Sequence, residues 1–547
     1  VRVAADIIRP SELDGKAKVP VILEASPYFS CCGRGNQNQV KQYDANGNIV
    51  SFPLFYDNYF VPRGYAVVLV DLAGTNRSQG CVDTGGPSDV TSATSVINWL
   101  NGRGTAYTSV TGATTASAYW SNGNVGMIGK SWDGTIAEGA ASTGVTGLKT
   151  IVAESAISSW YNYFRMNGAP LARETPGQLS TYVEDPDTVT ACASVAANID
   201  AGSPDNGDYT SMYAARNYAA NAGKVKASVW LTHGANDYNV LTDDFGQWWN
   251  ALPPTVHKQL WLSQTGHVDP FDFRRTAFVD ELHRWFDHYL MGIDNGVQSD
   301  PQASIERSPD HWVNYQTWPI PGTLPTTLRM SPSGTAGVGT LGLVGPKPNS
   351  SASFTDNPNN DDDNWSATPT QTANDRIIYS TGPLTHATTV SGTTKVTLTV
   401  TPSTSAAELS AVLVDYGSTT MRNYSDGVEG ILTLKTQSCF GDSTPQDSAC
   451  YYDTAPDTET VNYDVFDRGW ADLGHYQSLT SQQVLTPGKP YTMTFTLNTT
   501  DHTVPAGHTL ALIIGGTDNG YINPPAGTPT LNVNLDQSSV TLPLSSF

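Results

Sequence analysis

Residues 125–139 read VGMIGKSWDGTIAEG. The run VGMI is short and apolar, and GTIAEG after it is compatible with a helix. Between them stand Gly129, Ser131 and Gly134. A strand–Gly-x-Ser-x-x-Gly–helix arrangement puts Ser131 on a sharp turn with its hydroxyl exposed above a sheet, and small residues flank it because the backbones crowd there. The spacing departs by one residue from the strict Gly-x-Ser-x-Gly pattern, since Gly134 rather than Asp133 is the second glycine. Outward from this turn, the first three hundred residues alternate apolar strand-like runs with helical stretches. The strands are PVILEAS (20–26), YAVVLVDLAG (65–74), KTIVAES (149–155), KASVWLTHG (226–234) and KQLWLSQTG (258–266); DVTSATSVINWLNG (89–102) typifies the helices. Buried strands alternating with helices imply a mostly parallel sheet covered on both faces. Sites on such sheets lie at the carboxyl ends of the strands.

A serine nucleophile needs a base, and the base needs an orienting carboxylate. Strand 226–234 runs into Asp237, and strand 258–266 runs into His267. Both follow sheet strands in the order Ser…Asp…His, so Ser131, Asp237 and His267 form the expected triad. Three neighbours compete less well. Asp133 is too close to Ser131 in sequence to orient its base, His233 precedes the turn and reads as a structural hydrogen-bond partner, and Asp269 reads as a local cap. Acyl transfer also needs donors for the developing oxyanion. The backbone N–H of Trp132 supplies one. The second comes from the loop LEASPYFSCCG (23–33), either as a backbone N–H or as the hydroxyl of Tyr28.

Composition bounds the rest. The chain has 547 residues, 39% hydrophobic and 15% charged, with 13 Trp and 25 Tyr; this suits two or three domains with aromatic cores and excludes intrinsic disorder. Lys+Arg 29 against Asp+Glu 51 gives a net charge of −22, which argues against nucleic acid or an anionic membrane as partner. No apolar run reaches the length of a membrane span. The opening VRVAADIIRP is strand-like, which reads as a chain whose leader has been processed or left out. Six cysteines in a Thr/Ser-rich, Lys-poor chain suggest an exported protein with up to three disulfides. Cys439 and Cys450 bracket a short loop and are the expected pair, while adjacent Cys31 and Cys32 are each expected to seek Cys81 or Cys192. Residues 160–224 carry no strand run and read as an inserted helical cap, completing a catalytic domain over 1–317. From 318 to 547 the runs alternate at period two, as in TKVTLTVTP (394–402) and YTMTFTLNTT (491–500), the pattern of a β-sandwich or jelly roll. Asp361, Asp362 and Asp363 could hold calcium, although a solvated loop is the simpler reading.

The GKSWDGT elbow resembles the GKSYxGT elbow of the X-prolyl dipeptidyl aminopeptidases, serine peptidase family S15, in a wider group with cocaine-esterase-like and α-amino-acid ester hydrolases. The resemblance extends through the SPY loop, AISSWYNYFR (156–165), HGANDYNV (233–240), GHVDP (266–270) and the C-terminal jelly roll, and is nearest to secreted actinobacterial members. It implies an α/β-hydrolase with helical cap and β-sandwich, needing no cofactor or metal, with Tyr28 as the second oxyanion donor. Trp132 stands where the family usually has tyrosine. It also implies release of N-terminal Xaa-Pro dipeptides, or slightly longer prolyl peptides, from substrates with a free N-terminus. Such substrates call for an apolar proline pocket, for which Trp160 and then Tyr161 are candidates against the reading of cap packing. They also call for an anion facing the α-ammonium. Glu154 and Glu184 rank level for that role, Glu174 lies in the same segment, and a salt bridge to Arg165 or Arg173 is the ordinary alternative. The other functional readings are an esterase using the same triad and a glycan-binding role of the sandwich.

Overall fold

The computed structural model describes residues 1–424 and 429–547. Nine strands form the N-terminal sheet: β1 (Ala5–Ile8), β2 (Val19–Ser26), β3 (Ala66–Asp71), β4 (Ser121–Lys130), β5 (Leu148–Glu154), β6 (Ser228–Gly234), β7 (Lys258–Ser263), β8 (Ala303–Ser308) and β9 (His311–Tyr315). Their order is β1-β3-β2-β4-β5-β6-β7-β8-β9. Pairing is parallel from β3 through β8 and antiparallel at both edges.

The near-continuous apolar strands are explained by burial on both faces. Along β2, Val21 and Leu23 join one core and Ile22 the other; in β6, Val229 and Leu231 face the first core and Trp230 the second. Helices Pro87–Leu100 and Trp132–Ser142 cover the first face, while Arg275–Phe286 brings Leu282, Trp285 and Phe286 to the second. This is the α/β-hydrolase architecture. Between β5 and β6 the chain leaves the sheet for short helices, chiefly Trp160–Phe164, Pro176–Val183 and Val189–Ala201.

The strands from Leu324 to Leu544 form the second unit, a nearly closed β-sandwich whose inner faces bury Leu398, Phe495, Leu512 and Val540. It packs on the first unit rather than trailing from it. Asn167 of the cap donates to the carbonyls of Trp470 at 3.0 Å and Thr496 at 2.9 Å.

Two expectations need correction. Cys31 and Cys32 are bonded to each other, and Cys81 pairs with Cys192; only Cys439–Cys450 is as read from the sequence. Cys192 lies on the cap helix that reaches Cys81, so both partners sought for the adjacent pair are already taken. Nor is the 361–363 run a solvated loop. Asp361 caps the short helix Asp362–Ser366, accepting from the N–H of Asn364 at 2.9 Å, and Asp362 is buried against Arg468.

Candidate active site

β4 ends at Lys130, a helix starts at Trp132, and Ser131 between them has φ 61° and ψ −126°. A positive φ at a non-glycine residue is strain held by its surroundings. A Cβ on Gly129 would lie 2.4 Å from Cβ of Asp133, and one on Gly134 would lie 2.5 Å from the carbonyl oxygen of Gly129 and 3.0 Å from the backbone of Glu154. The crossing of helix and strand here requires both glycines, which accounts for the position of the second one. The N–H of Ser131 donates to the carbonyl of Glu154 at 2.8 Å, tying the elbow to the neighbouring strand.

Asp237 follows β6 and His267 follows β7, at the carboxyl ends of the strands, as Ser131 does at the end of β4. His267 Nδ1 lies 2.7 Å from Asp237 Oδ2, while Oδ1 accepts the N–H groups of Asn239 at 3.0 Å and Val240 at 2.8 Å. Burial pushes the Asp237 carboxyl up, but His267, His233 and the N–H of Val240 outweigh it and hold the group below the usual range. It is a fixed anion suited to orienting an imidazole. His233 is buried with Nε2 at 2.9 Å from the carbonyl of Val240, and burial lowers its pKa. Lys130 donates its ammonium to the carbonyl of His267 at 3.0 Å, linking the elbow to the histidine loop.

The hydroxyl of Tyr28 stands 3.4 Å from Ser131 Oγ. Burial first, then the charge of Asp133, raises its pKa well above that of an ordinary phenol, so it stays a donor at alkaline pH. Trp132 opens the helix, where the first N–H groups have no intrahelical partner. Potential donors on two elements therefore stand beside Ser131.

A cavity of about 770 Å³ opens at Ser131. Trp132 and Trp160 wall it, their rings edge to face at 5.0 Å, and the Trp160 ring lies where a side chain on Gly85 would stand, 1.8 Å from such a Cβ. The cap adds Tyr163, Arg173 and Glu174, and the sandwich adds Trp470 and Tyr521. Arg173 lies over the ring of Tyr163 at 4.3 Å and donates to the carbonyl of Asn239 at 2.9 Å, which leaves exposed Glu174 as the carboxylate on the cavity wall.

The other residues singled out from the sequence lie elsewhere. Tyr161 does not line the cavity; its hydroxyl donates to the carbonyl of Gly207 at 2.7 Å and its ring packs on Tyr209 and Tyr213 inside the cap. Glu154 is fully buried under the elbow near Asp269, Glu24 and Arg34, and burial first, then Asp269, raises its pKa well above the carboxylate range. Glu184 follows the helix Pro176–Val183 as its C-cap and accepts the N–H of Val82 at 3.2 Å. Neither glutamate lines the cavity. Asp133 pairs with Arg34 at 3.2 Å, and Asp269 caps a helical turn, accepting the N–H of Phe271 at 2.8 Å. No sequence signal pointed to Trp470 or Tyr521, which lie more than three hundred residues from the elbow.

An α/β-hydrolase sheet with a serine elbow, an acid and a histidine at successive strand ends defines a serine hydrolase. Residues 1–269 match the family model of X-Pro dipeptidyl-peptidase (S15 family), and residues 295–543 match that of the X-Pro dipeptidyl-peptidase C-terminal non-catalytic domain. The chain belongs to the X-Pro dipeptidyl-peptidase S15 family, and it is a hydrolase of the serine peptidase class. It is 56% identical over 99% of its length to a protein of Streptomyces avermitilis provisionally named Xaa-Pro dipeptidyl-peptidase, covering 80% of that protein. The Xaa-Pro dipeptidyl-peptidase of Lacticaseibacillus casei is 30% identical over 98% of this chain and 74% of its own. The CocE/NonD family hydrolase of Staphylococcus aureus shares the fold at TM-score 0.68 and 14% identity, over 99% of this chain and 90% of that one.

Proposed function

We propose that the protein releases N-terminal Xaa-Pro dipeptides, or slightly longer prolyl peptides, from peptides with a free amino terminus, outside the cell. The supporting observation is the aromatic cavity beginning at Ser131, walled by Trp132 and Trp160 and bearing the carboxylate of Glu174. Flat indole faces suit a pyrrolidine ring, and an anion on the same wall suits an α-ammonium. Glu174, rather than Glu154 or Glu184, takes the ammonium in this reading because it alone of the three borders the cavity.

Ser131 Oγ attacks the prolyl carbonyl as His267 takes its proton and Asp237 stabilises the imidazolium. The oxyanion receives the Tyr28 hydroxyl and the Trp132 N–H. Collapse breaks the C–N bond, and the leaving amine takes the proton from His267. Water, deprotonated by His267, then hydrolyses the ester and returns the proton to Ser131. The division of labour runs between a catalytic unit over 1–317, with its cap at 160–224, and a sandwich over 318–547. Three disulfides fit an oxidising compartment.

The test compares Ala-Pro-p-nitroanilide, its N-acetylated form and p-nitrophenyl acetate, with wild type and Ser131→Ala. Strong cleavage of the free dipeptide, lost on acetylation and in the variant, is expected. Cleavage of the acetate alone would replace this reading with the esterase one.

A further inference from the structure

His267 is held through its backbone as well as its ring. Its carbonyl accepts from Lys130, as described above. Its N–H donates to Oε2 of Glu429 at 2.7 Å, and the neighbouring N–H of Gly266 donates to the carbonyl of Glu429 at 3.2 Å. Glu429 belongs to the sandwich, in the segment after the strand Glu408–Arg422, and has φ 58°. A left-handed residue that is not glycine is uncommon; here that conformation accompanies two contacts from one residue to one turn.

Arg422 and Gly430, on either side of Glu429 in sequence, are tied to each other and, through Arg422, to the catalytic unit. Arg422, buried, reaches Glu306 of β8 through Nε at 2.9 Å, Asp310 at 2.8 Å and the carbonyl of Gly430 at 2.9 Å. Glu306 in turn accepts the N–H of Gln264, the residue that leads β7 into the histidine turn, at 2.8 Å. Glu429 therefore approaches His267 from an anchored base.

Position 266 carries a further mark of this contact. A Cβ there would stand 1.6 Å from Oε2 of Glu429, and its next neighbour outside that side chain would be the carbonyl of Asn236 at 3.6 Å. The side-chain space above Gly266 is occupied by the Glu429 carboxylate.

We infer that Glu429 is a positioning residue for catalysis, supplied by the sandwich: its carboxylate accepts the His267 N–H in a charge-assisted hydrogen bond and fixes the imidazole relative to Ser131. Although its family model is described as non-catalytic, the sandwich thereby completes the holding of the general base. The inference rests on the reading of His267 as base, and the test separates the two.

Glu429→Ala, Glu429→Gln, Gly266→Ala and the double variant Gly266→Ala/Glu429→Ala are assayed in the full chain, with Ser131→Ala as control. The readouts are kcat and KM on Ala-Pro-p-nitroanilide and p-nitrophenyl acetate, and the rate of inactivation by a phosphonofluoridate. Displacement of a reacting group by about 1 Å costs roughly a hundredfold. The expected result for Glu429→Ala is a fall of roughly 10- to 100-fold in kcat on both substrates and in the inactivation rate, with KM nearly unchanged. Glu429→Gln retains an acceptor and recovers most of the loss. Gly266→Ala evicts the carboxylate without removing it and reproduces the loss, and the double variant is no worse than either single change, since both remove one contact. Should Glu429→Ala fail to fold, Gly266→Ala and Glu429→Gln carry the test. An unchanged kcat in folded Glu429→Ala or Gly266→Ala, a loss in Glu429→Gln as large as in those variants, or additive losses in the double, overturns the inference. Activity surviving in Ser131→Ala instead refutes the triad reading on which it rests.

Discussion

Tyr28→Phe removes one oxygen and leaves the ring, which packs edge to face on Trp132 at 6.4 Å. That hydroxyl is 3.4 Å from Ser131 Oγ before attack. When Oγ bonds to the carbonyl carbon, the oxyanion lies one atom further out, so the phenol can close to the working distance of about 2.7–3.1 Å. In the proposed mechanism two donors serve the oxyanion, and the Trp132 N–H survives the substitution. Loss of one such donor costs about 10²–10³ in kcat, or about 2.7–4 kcal/mol of transition-state stabilisation. Because the contact strengthens as charge develops, KM for Ala-Pro-p-nitroanilide changes little. The raised phenol pKa adds a second signature: through pH 10 the wild-type hydroxyl remains protonated, so Tyr28 produces no alkaline loss of activity there. Steady-state kinetics at pH 7 to 10, with circular dichroism to verify folding, decide the matter. A fall in kcat under threefold, or a loss residing wholly in KM, refutes the oxyanion role of Tyr28.

Glu174→Gln raises KM for free-amine substrates roughly tenfold, the scale of one charge-assisted hydrogen bond, and leaves p-nitrophenyl acetate unaffected; parallel kinetics on both check it. Trp160→Ala lowers kcat/KM on prolyl substrates strongly, whereas Tyr161→Phe leaves KM within twofold and costs about 1 kcal/mol of stability, the worth of its bond to Gly207. Reduction-proof replacement of the Cys81–Cys192 pair by serines lowers stability in urea by about 2–4 kcal/mol. Glu154 has its carboxyl pKa raised on folding, so its favourable contribution is full below the unfolded value and is lost as pH rises towards the folded one. Glu154→Gln therefore gains stability relative to wild type progressively as pH rises above the ordinary carboxylate range, measured by thermal unfolding at each pH.

The strand–turn–helix elbow at Ser131 was legible because its constraints are local: Gly129, Ser131 and Gly134 lie within six residues, and the strands leading to Asp237 and His267 carry their own apolar pattern. The sandwich was legible through its period-two runs. Direction at the end of an element was not. Glu154 ends a strand, the place expected of a substrate-binding glutamate, yet it turns into an acidic cluster that Arg34 enters from a distant loop. Trp160 and Tyr161 are adjacent on one short helix, so they face different ways, and only the fold decides which meets the cavity. Trp470, Tyr521 and Glu429 reach the site through domain packing, which leaves no periodicity to read. The Cys31–Cys32 bond closes within a single turn, so it leaves no loop or spacing in the sequence to read.

The most direct test of the account is intact-protein mass spectrometry after rapid acid quench, using an Ala-Pro ester under conditions in which deacylation limits turnover. The expected result is a mass increase of one Ala-Pro acyl group, mapped by peptide digestion to Ser131, that is absent in Ser131→Ala and from reactions with N-acetyl-Ala-Pro ester. An acyl group on another residue, or equal labelling by the acetylated ester, would contradict it.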